Sequence, residues 1–223
     1  MFIDREREAQ ALKAMAEKEI TSNFIKYLPK RRVTIVDFII GSKTLCSDDF
    51  NNPELWPLLV EPIIKTHKSG VKVNGTFNPM ERIHKMKSIL DGFGKEYPEL
   101  DLEGTIKKLE KIDRIIGISE KDYVITHNDL LAENFMLITD EYKDKYTNSV
   151  YLIDWENSAM GPKYYDLAVT FQETLVERNV QKEIVMVYCE GKDFEKTLFN
   201  IDMFKPFSET YWTIWSLIQM NSL

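Results

Sequence analysis

The chain has 223 residues, 43% of them hydrophobic and 29% charged, with a formal net charge of −7, 9 glycines and 8 prolines. This composition is typical of a globular domain and excludes collagen-like, low-complexity and disordered chains. The negative net charge argues against a nucleic-acid partner, which would need a basic surface, and suits a cationic one. With 2 cysteines, no apolar signal segment and no stretch that could cross a bilayer, we expect a cytoplasmic protein without membrane insertion.

The first half of the sequence predicts helices interrupted by one pair of strands. Apolar residues at helical spacing, together with cap-forming residues, predict helices at 4–19, 55–69, about 79–93 and 102–116. Pro62 lies inside the second of them and is expected to kink or split it. Residues 23–29 and 31–40 predict two short strands around a turn, because the second is rich in β-branched side chains.

The second half changes from helical to strand-like patterns and back again. Apolar segments at 123–126, 135–138 and 150–155 predict three strands, joined by a polar turn and a hairpin. From Tyr164 onward the pattern is helical, apart from a loop around residues 190–192. We therefore expect an α+β fold, mostly helical, with a small β insert.

The most specific segment is HNDLLAEN, which follows the strand YVIT and contains Asp129 and, five residues later, Asn134. Past a hairpin, the strand VYLI leads into Asp154. Phosphoryl transfer requires a carboxylate that takes the proton of the attacking hydroxyl, and oxygen ligands that hold Mg²⁺ against the nucleotide phosphates. The protein-kinase catalytic loop has the same order of residues. We interpret Asp129 as the base and Asn134 and Asp154 as metal ligands.

Each of these residues alone has a simpler explanation. Turn formation or capping would account for Asp129 and Asn134, and solvation at a strand end would account for Asp154. All three in this order, each after an apolar strand, favour a kinase-type catalytic loop. His127 we interpret as a structural residue that holds the loop by hydrogen bonds.

A known family shares these motifs. The segments ITHNDLLAENFML and YLIDWENSAMGPKYYDLA resemble the catalytic core of the choline/ethanolamine kinase family, a branch of the aminoglycoside-phosphotransferase-like, protein-kinase-related fold. The likeness extends from about residue 3 to 220. It implies the mainly helical C-terminal lobe of a protein-kinase-like fold at 41–223, preceded at 1–40 by the remnant of an N-terminal lobe. It also implies ATP and Mg²⁺ as cofactors.

The resemblance also implies where the nucleotide binds. The segment VDFIIGSKTL is similar to the hinge between the two lobes, so that Asp37, Phe38 and Ile39 would lie at the edge of the adenine. Ile153, just before the metal-binding Asp154, would contact the nucleotide as well. Glu8 stands at the position that pairs with the nucleotide lysine in the family.

The substrate site implied by the resemblance would receive choline or ethanolamine. A quaternary ammonium is bound by aromatic faces and a nearby carboxylate, and the resemblance assigns these roles to Trp212, Trp215 and Glu173. From the residues alone, the two tryptophans also fit a buried helix face. Asn157 and Arg178 stand at positions that are often aromatic in the family, which keeps ethanolamine or another amino alcohol open.

The sequence ahead of the hinge contains no glycine before Gly41, whereas a kinase needs a glycine-rich hairpin and a lysine over the triphosphate. We therefore expect a truncated chain with weak activity alone, because triphosphate positioning supplies much of the catalysis. Two alternatives are an aminoglycoside-type phosphotransferase and a non-catalytic binding domain of the same fold. The oligomeric state stays open.

Overall fold

The computed structural model describes residues 3–222, which contain seven α-helices, seven β-strands and short 3-10 turns. The helices are α1 (Arg5–Ala16), α2 (Trp56–Lys68), α3 (Pro79–Asp91), α4 (Leu102–Ile116), α5 (Lys163–Glu173), α6 (Arg178–Tyr188) and α7 (Phe194–Ser222). The strands are β1 (Phe24–Leu28), β2 (Val33–Val36), β3 (Ser42–Thr44), β4 (Val124–Thr126), β5 (Phe135–Ile138), β6 (Val150–Leu152) and β7 (Ala159–Gly161). The expected α+β fold, mostly helical with a small β portion, is confirmed.

The strands form three small antiparallel sheets. Strands β1 and β2 form a hairpin, β5 lies between β3 and β6, and β4 pairs with β7. Strands β3 and β7 were not predicted. Each has only three residues, too few for alternation to show, and each forms because a longer-range partner offers its backbone groups.

Most helix boundaries follow their caps. The side chain of Asp4 accepts hydrogen bonds from the backbone N–H groups of Glu6 and Arg7, and Asn78 caps α3 in the same way. Helix α4 ends at Gly117 in the left-handed conformation (φ 60°).

Two features of the helices differ from what the sequence predicted. Pro62 was expected to kink or split α2, and it does not split it: the helix continues through Pro62, which is buried with the apolar face of α2. The long C-terminal helical run is also interrupted at residues 174–177, where Leu175 adopts a positive φ of 49° and ends α5.

One hydrophobic core joins α1 to the later helices and to sheets β4–β7 and β5–β6. Its largest fully buried side chains include Trp155, Tyr165, Phe135 and Phe207. A smaller cluster of Ile39, Ile138 and Tyr151 lies under the segment after β2. Within residues 3–222, none of the helices has the length and apolar character needed to cross a membrane.

Candidate active site

The loop that carries the predicted base Asp129 lies between β4 and β5, and a buried carboxylate binds its backbone. Asp166 in α5 accepts hydrogen bonds from the backbone N–H groups of His127 (2.8 Å) and Asn128 (2.7 Å). Asn128 has a positive φ of 66°, an uncommon conformation for a residue other than glycine. The carboxylate of Asp166 thus fixes the bend immediately before Asp129.

A histidine from another helix completes the shell of donors around Asp166. His67 Nε2 in α2 lies 3.0 Å from Asp166 Oδ2, and His67 Nδ1 lies 2.8 Å from the hydroxyl of Tyr188 in α6. Because the carboxylate also accepts two backbone N–H groups, it is an acceptor, so His67 Nε2–H donates to it. Three helices therefore join beneath the loop.

The ring of His127 has the structural role expected from the sequence. Its Nε2 donates to the carbonyl of Ile153 (2.8 Å), and the ring packs on Trp155 with centroids 4.8 Å apart. Burial lowers the pKa of His127, which favours the neutral ring. His127 thereby ties the catalytic loop to the segment that carries Asp154.

Asp129 is buried, with 8% of its surface exposed. Its Oδ2 accepts a hydrogen bond from Asn157 Nδ2 (3.2 Å), whereas its Oδ1 is buried and accepts none from the described residues. Burial, followed by the negative charge of Asp154, raises the pKa of Asp129 to about 7. A carboxylate with this pKa and a free oxygen is suited to accept a proton near neutral pH.

Asn134 and Asp154 are brought together by the pairing of β5 with β6. Phe135 pairs with Leu152, and the backbone N–H of Ile153 donates to the carbonyl of Asn134 (3.0 Å). The next residue, Asp154, is exposed and has a positive φ of 64°. The two predicted metal ligands therefore occupy the same end of this sheet.

The side chain of Asn134 is oriented by the loop itself. Its Nδ2 donates to the backbone carbonyl of Asp129 (2.8 Å), so its Oδ1 is the atom left for a ligand. An amide oxygen and a carboxylate fit Mg²⁺, which takes one or two protein ligands and completes its shell with water and phosphate. Among residues 3–222, no group of three His, Cys, Asp or Glu side chains forms a metal cage.

An ion-pair network connects α1 to this region. Arg5 Nη1 contacts Glu8 (2.7 Å) and Glu156 (3.1 Å), two residues after Asp154. Burial and the charge of Asp154 raise the pKa of Glu156, and Arg5 partly offsets both effects. Glu8 is thus engaged within the described chain by an arginine.

The predicted hinge residues lie between β2 and β3. Asp37, exposed Phe38 and buried Ile39 line a cleft of about 490 Å³. Ile153 does not line this cleft but packs against the cluster that contains Ile39. Met136 also packs against this cluster. Its place there became visible only from the register of β5 with β6, in which Met136 pairs with Tyr151.

The predicted substrate residues lie at the C-terminal end of α5 (Glu173) and in α7 (Trp212 and Trp215). Glu173 is the last residue of α5, and its charge contributes to the raised pKa of Asp129. Partial burial and the charge of Glu133 raise the pKa of Glu173. Gln172 donates a hydrogen bond to Glu209, one helical turn before Trp212, which holds these two helices together.

The two tryptophans differ in their surroundings. Tyr211 and Ile214 are buried in the core and Trp212, half-buried, packs against it, whereas Trp215 is 40% exposed. The rings of Trp212 and Trp215 pack edge to face with centroids 5.5 Å apart. The indole N–H of Trp212 is buried without a partner in the described chain.

Two contacts around Asp129 were missed by sequence reasoning. Asn157, noted only as a departure from an aromatic position, donates to Asp129 and accepts at its carbonyl from Asn128 Nδ2 (3.0 Å). Burial is the main cause of the raised pKa of Tyr211, and the negative charge of Asp129 raises it further. Arg178 forms an ion pair with Asp202, with Nη2 2.6 Å from Oδ2, instead of facing a pocket.

Comparisons with known proteins agree with this geometry. A family model described as choline/ethanolamine kinase matches residues 1–190. A probable ethanolamine kinase of Arabidopsis thaliana is 24% identical over 97% of this chain and 62% of that protein. A choline/ethanolamine kinase family protein from Mesorhizobium loti has a TM-score of 0.85 at 20% identity, over 100% of this chain and 72% of its own. LicA in complex with AMP has a TM-score of 0.77 at 21% identity, over 99% and 72%.

Proposed function

Because the chain belongs to the choline/ethanolamine kinase family, we propose that it transfers the terminal phosphoryl group of ATP to the hydroxyl of an amino alcohol, ethanolamine or choline. The observation that carries this proposal is the state of Asp129. Its buried Oδ1 has no partner among the described residues, and its pKa of about 7 suits proton transfer. The chain spans 62% of the length of its plant relative, so activity and substrate are both part of the proposal.

In the proposed reaction, Asp129 accepts the proton of the substrate hydroxyl as the oxygen forms a bond to the γ-phosphorus. The bond from that phosphorus to the bridging oxygen of ADP breaks, and ADP leaves with the electron pair. Asn134 Oδ1 and the carboxylate of Asp154 would hold Mg²⁺, which supplies neutralisation of the phosphate charge. Asp166 fixes the loop so that Asp129 needs little rearrangement.

We propose that the nucleotide base lies along Asp37, Phe38 and Ile39, with Ile153 beneath it. The shared apolar cluster of Ile39 and Ile153 supports this position, because Ile153 directly precedes Asp154 in the chain. The AMP of the LicA complex supports nucleotide use in this fold. A cytoplasmic location, which the composition led us to expect, is part of the same proposal.

The ammonium group of the substrate would be received by Glu173, Trp212 and Trp215. The edge-to-face tryptophan pair supplies π faces, and Glu173 supplies the opposite charge on the side of Asp129. The family match favours an amino alcohol over an aminoglycoside, which would need more carboxylates. Asn157 in place of an aromatic residue removes one apolar wall and allows a primary ammonium to hydrogen-bond.

The test is ADP release by the 223-residue chain with Mg-ATP and ethanolamine, choline or an aminoglycoside. We expect slow turnover that depends on an amino alcohol and falls about 10²–10⁴-fold in Asp129→Asn. Asp140→Asn is the matched control, because Asp140 is an exposed carboxylate paired only with Lys143. Equal turnover in Asp129→Asn would contradict the proposal. Calorimetry that shows choline binding without Mg-nucleotide binding would favour the non-catalytic alternative.

A further inference from the structure

Another cleft, of about 260 Å³, lies where the ends of four helices meet. The C-terminal ends of α2 and α6 and the N-terminal ends of α5 and α7 line it, together with Val124 of β4 and the turn between α6 and α7. No residue of 3–40 lines this cleft, and α7 carries the chain about 40 Å away from it by Ser222. Its walls therefore come from the helical lobe and not from the hinge region.

This cleft carries an excess of positive charge, although the chain as a whole has a net charge of −7. Its lysines are Lys68, Lys163, Lys192 and Lys196. Two carboxylates lie beside them: Asp193 lines the cleft, and Glu190 pairs with Lys68 and lies 3.7 Å from Lys192. Lys163 lies over the ring of Tyr164, and neither it nor Lys196 forms an ion pair with the described residues. Two of the four lysines are therefore left to pair with a ligand.

A buried hydroxyl also lines this cleft. Thr197 is 5% exposed, and its hydroxyl makes no hydrogen bond to the residues that the structure describes. Two helices begin beside it: α5 at Lys163, where the preceding Pro162 provides no side-chain cap, and α7 at Phe194. The N–H groups of a first helical turn and the positive end of the helix dipole favour anions. The hydroxyl, the two helix ends and the lysines therefore all suit a negatively charged ligand.

We propose that this cleft binds a phosphate group carried by a small soluble molecule. A phosphate ester has nearly two negative charges and three strong acceptor oxygens, which match donors that come from several separate elements. Lysine is a common phosphate ligand because its ammonium group is a compact point charge. The volume of about 260 Å³ lies below the roughly 300–1,000 Å³ of sites for drug-sized ligands, which favours a small molecule.

The cleft adjoins the hydrogen-bond network beneath the loop of Asp129. His67 and Tyr188 line it, with the Tyr188 hydroxyl 2.8 Å from His67 Nδ1. Asp166, on the other side of the His67 ring, already accepts hydrogen bonds from three N–H groups, which offset its negative charge. Asp129 is not among the lining residues, so the cleft is separate from the proposed active site. Binding in it can therefore be tested without any measurement of activity.

The first experiment titrates the 223-residue chain with inorganic phosphate and with glycerol 3-phosphate, in metal-free buffer, and follows the amide signals by nuclear magnetic resonance. We expect saturable shifts of the signals of Lys163 and Thr197. The double variant Lys163→Gln with Lys196→Gln should weaken binding by about tenfold or more. The matched control is Lys107→Gln with Lys111→Gln, at exposed positions of α4, which removes the same charge and should leave binding unchanged. No saturable binding, or an equal loss in both double variants, would overturn the proposal.

The second experiment separates binding inside the cleft from general attraction to lysines. Thr197→Val keeps the shape and the charge but removes the hydroxyl, and it should weaken phosphate binding by about fivefold or more. Thr105→Val, in α4, is the control, and circular dichroism confirms that each variant is folded. Unchanged affinity in folded Thr197→Val would place the phosphate outside the cleft and overturn the proposal. Vesicles that contain phosphatidic acid test a lipid source of the phosphate: flotation of the chain with them, without a response to the soluble phosphates, would also overturn it.

Discussion

The catalytic loop and the β1–β2 hairpin depart from the usual distribution of polar and apolar residues in opposite directions. Residues 127–129 are polar and buried, whereas the side chains of Val33, Ile35 and Phe38 are apolar and exposed. Most buried polar groups in proteins have a partner, and large exposed apolar patches usually meet one. The loop obtains its partners within the chain, from Asp166 and Asn157. The hairpin has no such cover among the described residues.

This difference separates stability from association. Removing a partner from the loop leaves buried donors unsatisfied, so the cost appears in the free energy of unfolding. Changing an exposed hairpin side chain alters few internal contacts, so it should change the free energy of unfolding little.

The largest effect on stability is expected from Asp166→Ala. The substitution removes the acceptor of two loop N–H groups and of His67 and should lower the free energy of unfolding by about 3–5 kcal/mol. Urea denaturation followed by tryptophan fluorescence measures the change. Glu190→Ala, which breaks exposed pairs with Lys68 and Lys192, is the control and should change the free energy of unfolding little.

An Asp166→Ala variant as stable as the Glu190→Ala control would contradict this view of the loop. It would mean that the backbone of His127 and Asn128 finds other acceptors, or reaches water, without loss. The comparison between loop and hairpin would then lose its physical basis.

A smaller effect, opposite in sign, is expected from Asp129→Asn in metal-free buffer. The pKa of Asp129 is raised from 3.8 to about 7, so the folded state holds a proton that the unfolded state releases between these values. Ionisation of this carboxyl therefore lowers the free energy of unfolding progressively as the pH rises. The full loss is reached above about pH 7. The uncharged amide can still accept from Asn157, so the variant should be more stable by up to about 4 kcal/mol.

Denaturation series between about pH 4 and pH 8 test this dependence. The difference in the free energy of unfolding between variant and parent should be near zero at the acidic end of the series. It should grow as the pH rises and level off above neutrality. A difference that does not change with pH would show that Asp129 titrates normally. Asp140→Asn again serves as the exposed control.

The smallest effect is expected from Ile35→Lys in dilute, monomeric protein. Ile35 is 39% exposed, so its replacement should change the free energy of unfolding by no more than about 0.5 kcal/mol. A loss of several kcal/mol in the monomer would show that the hairpin is already packed against its own chain.

Sequence reasoning found the elements whose signals are local. Asp4, Asn78 and Gly117 mark helix ends because capping acts within one turn. The strand order on either side of the loop predicted that Asn134 and Asp154 would meet, and the pairing of β5 with β6 places them at one sheet end. Their roles as metal ligands stay a prediction.

Other features depend on residues far apart in the chain and were missed. Strands β3 and β7 exist only because β5 and β4 pair with them. His67, nearly a hundred residues before Asp166, has no local signal for its contact with that carboxylate. The contact of Asn157 with Asp129 likewise requires β7 to return beside β4.

The sequence by itself determined the helix ends, the strand-flanked polar motif and the family to which it points, because capping, periodicity and residue spacing act over a few positions. Only the tertiary structure decided that Asp129 is buried with an oxygen that has no partner among the described residues, that burial and the charge of Asp154 raise its pKa, and that Trp215 is exposed whereas Trp212 packs against the core. Burial, the distances between charges and strand pairing all depend on segments that are far apart in the sequence. They are therefore determined only when the core has assembled.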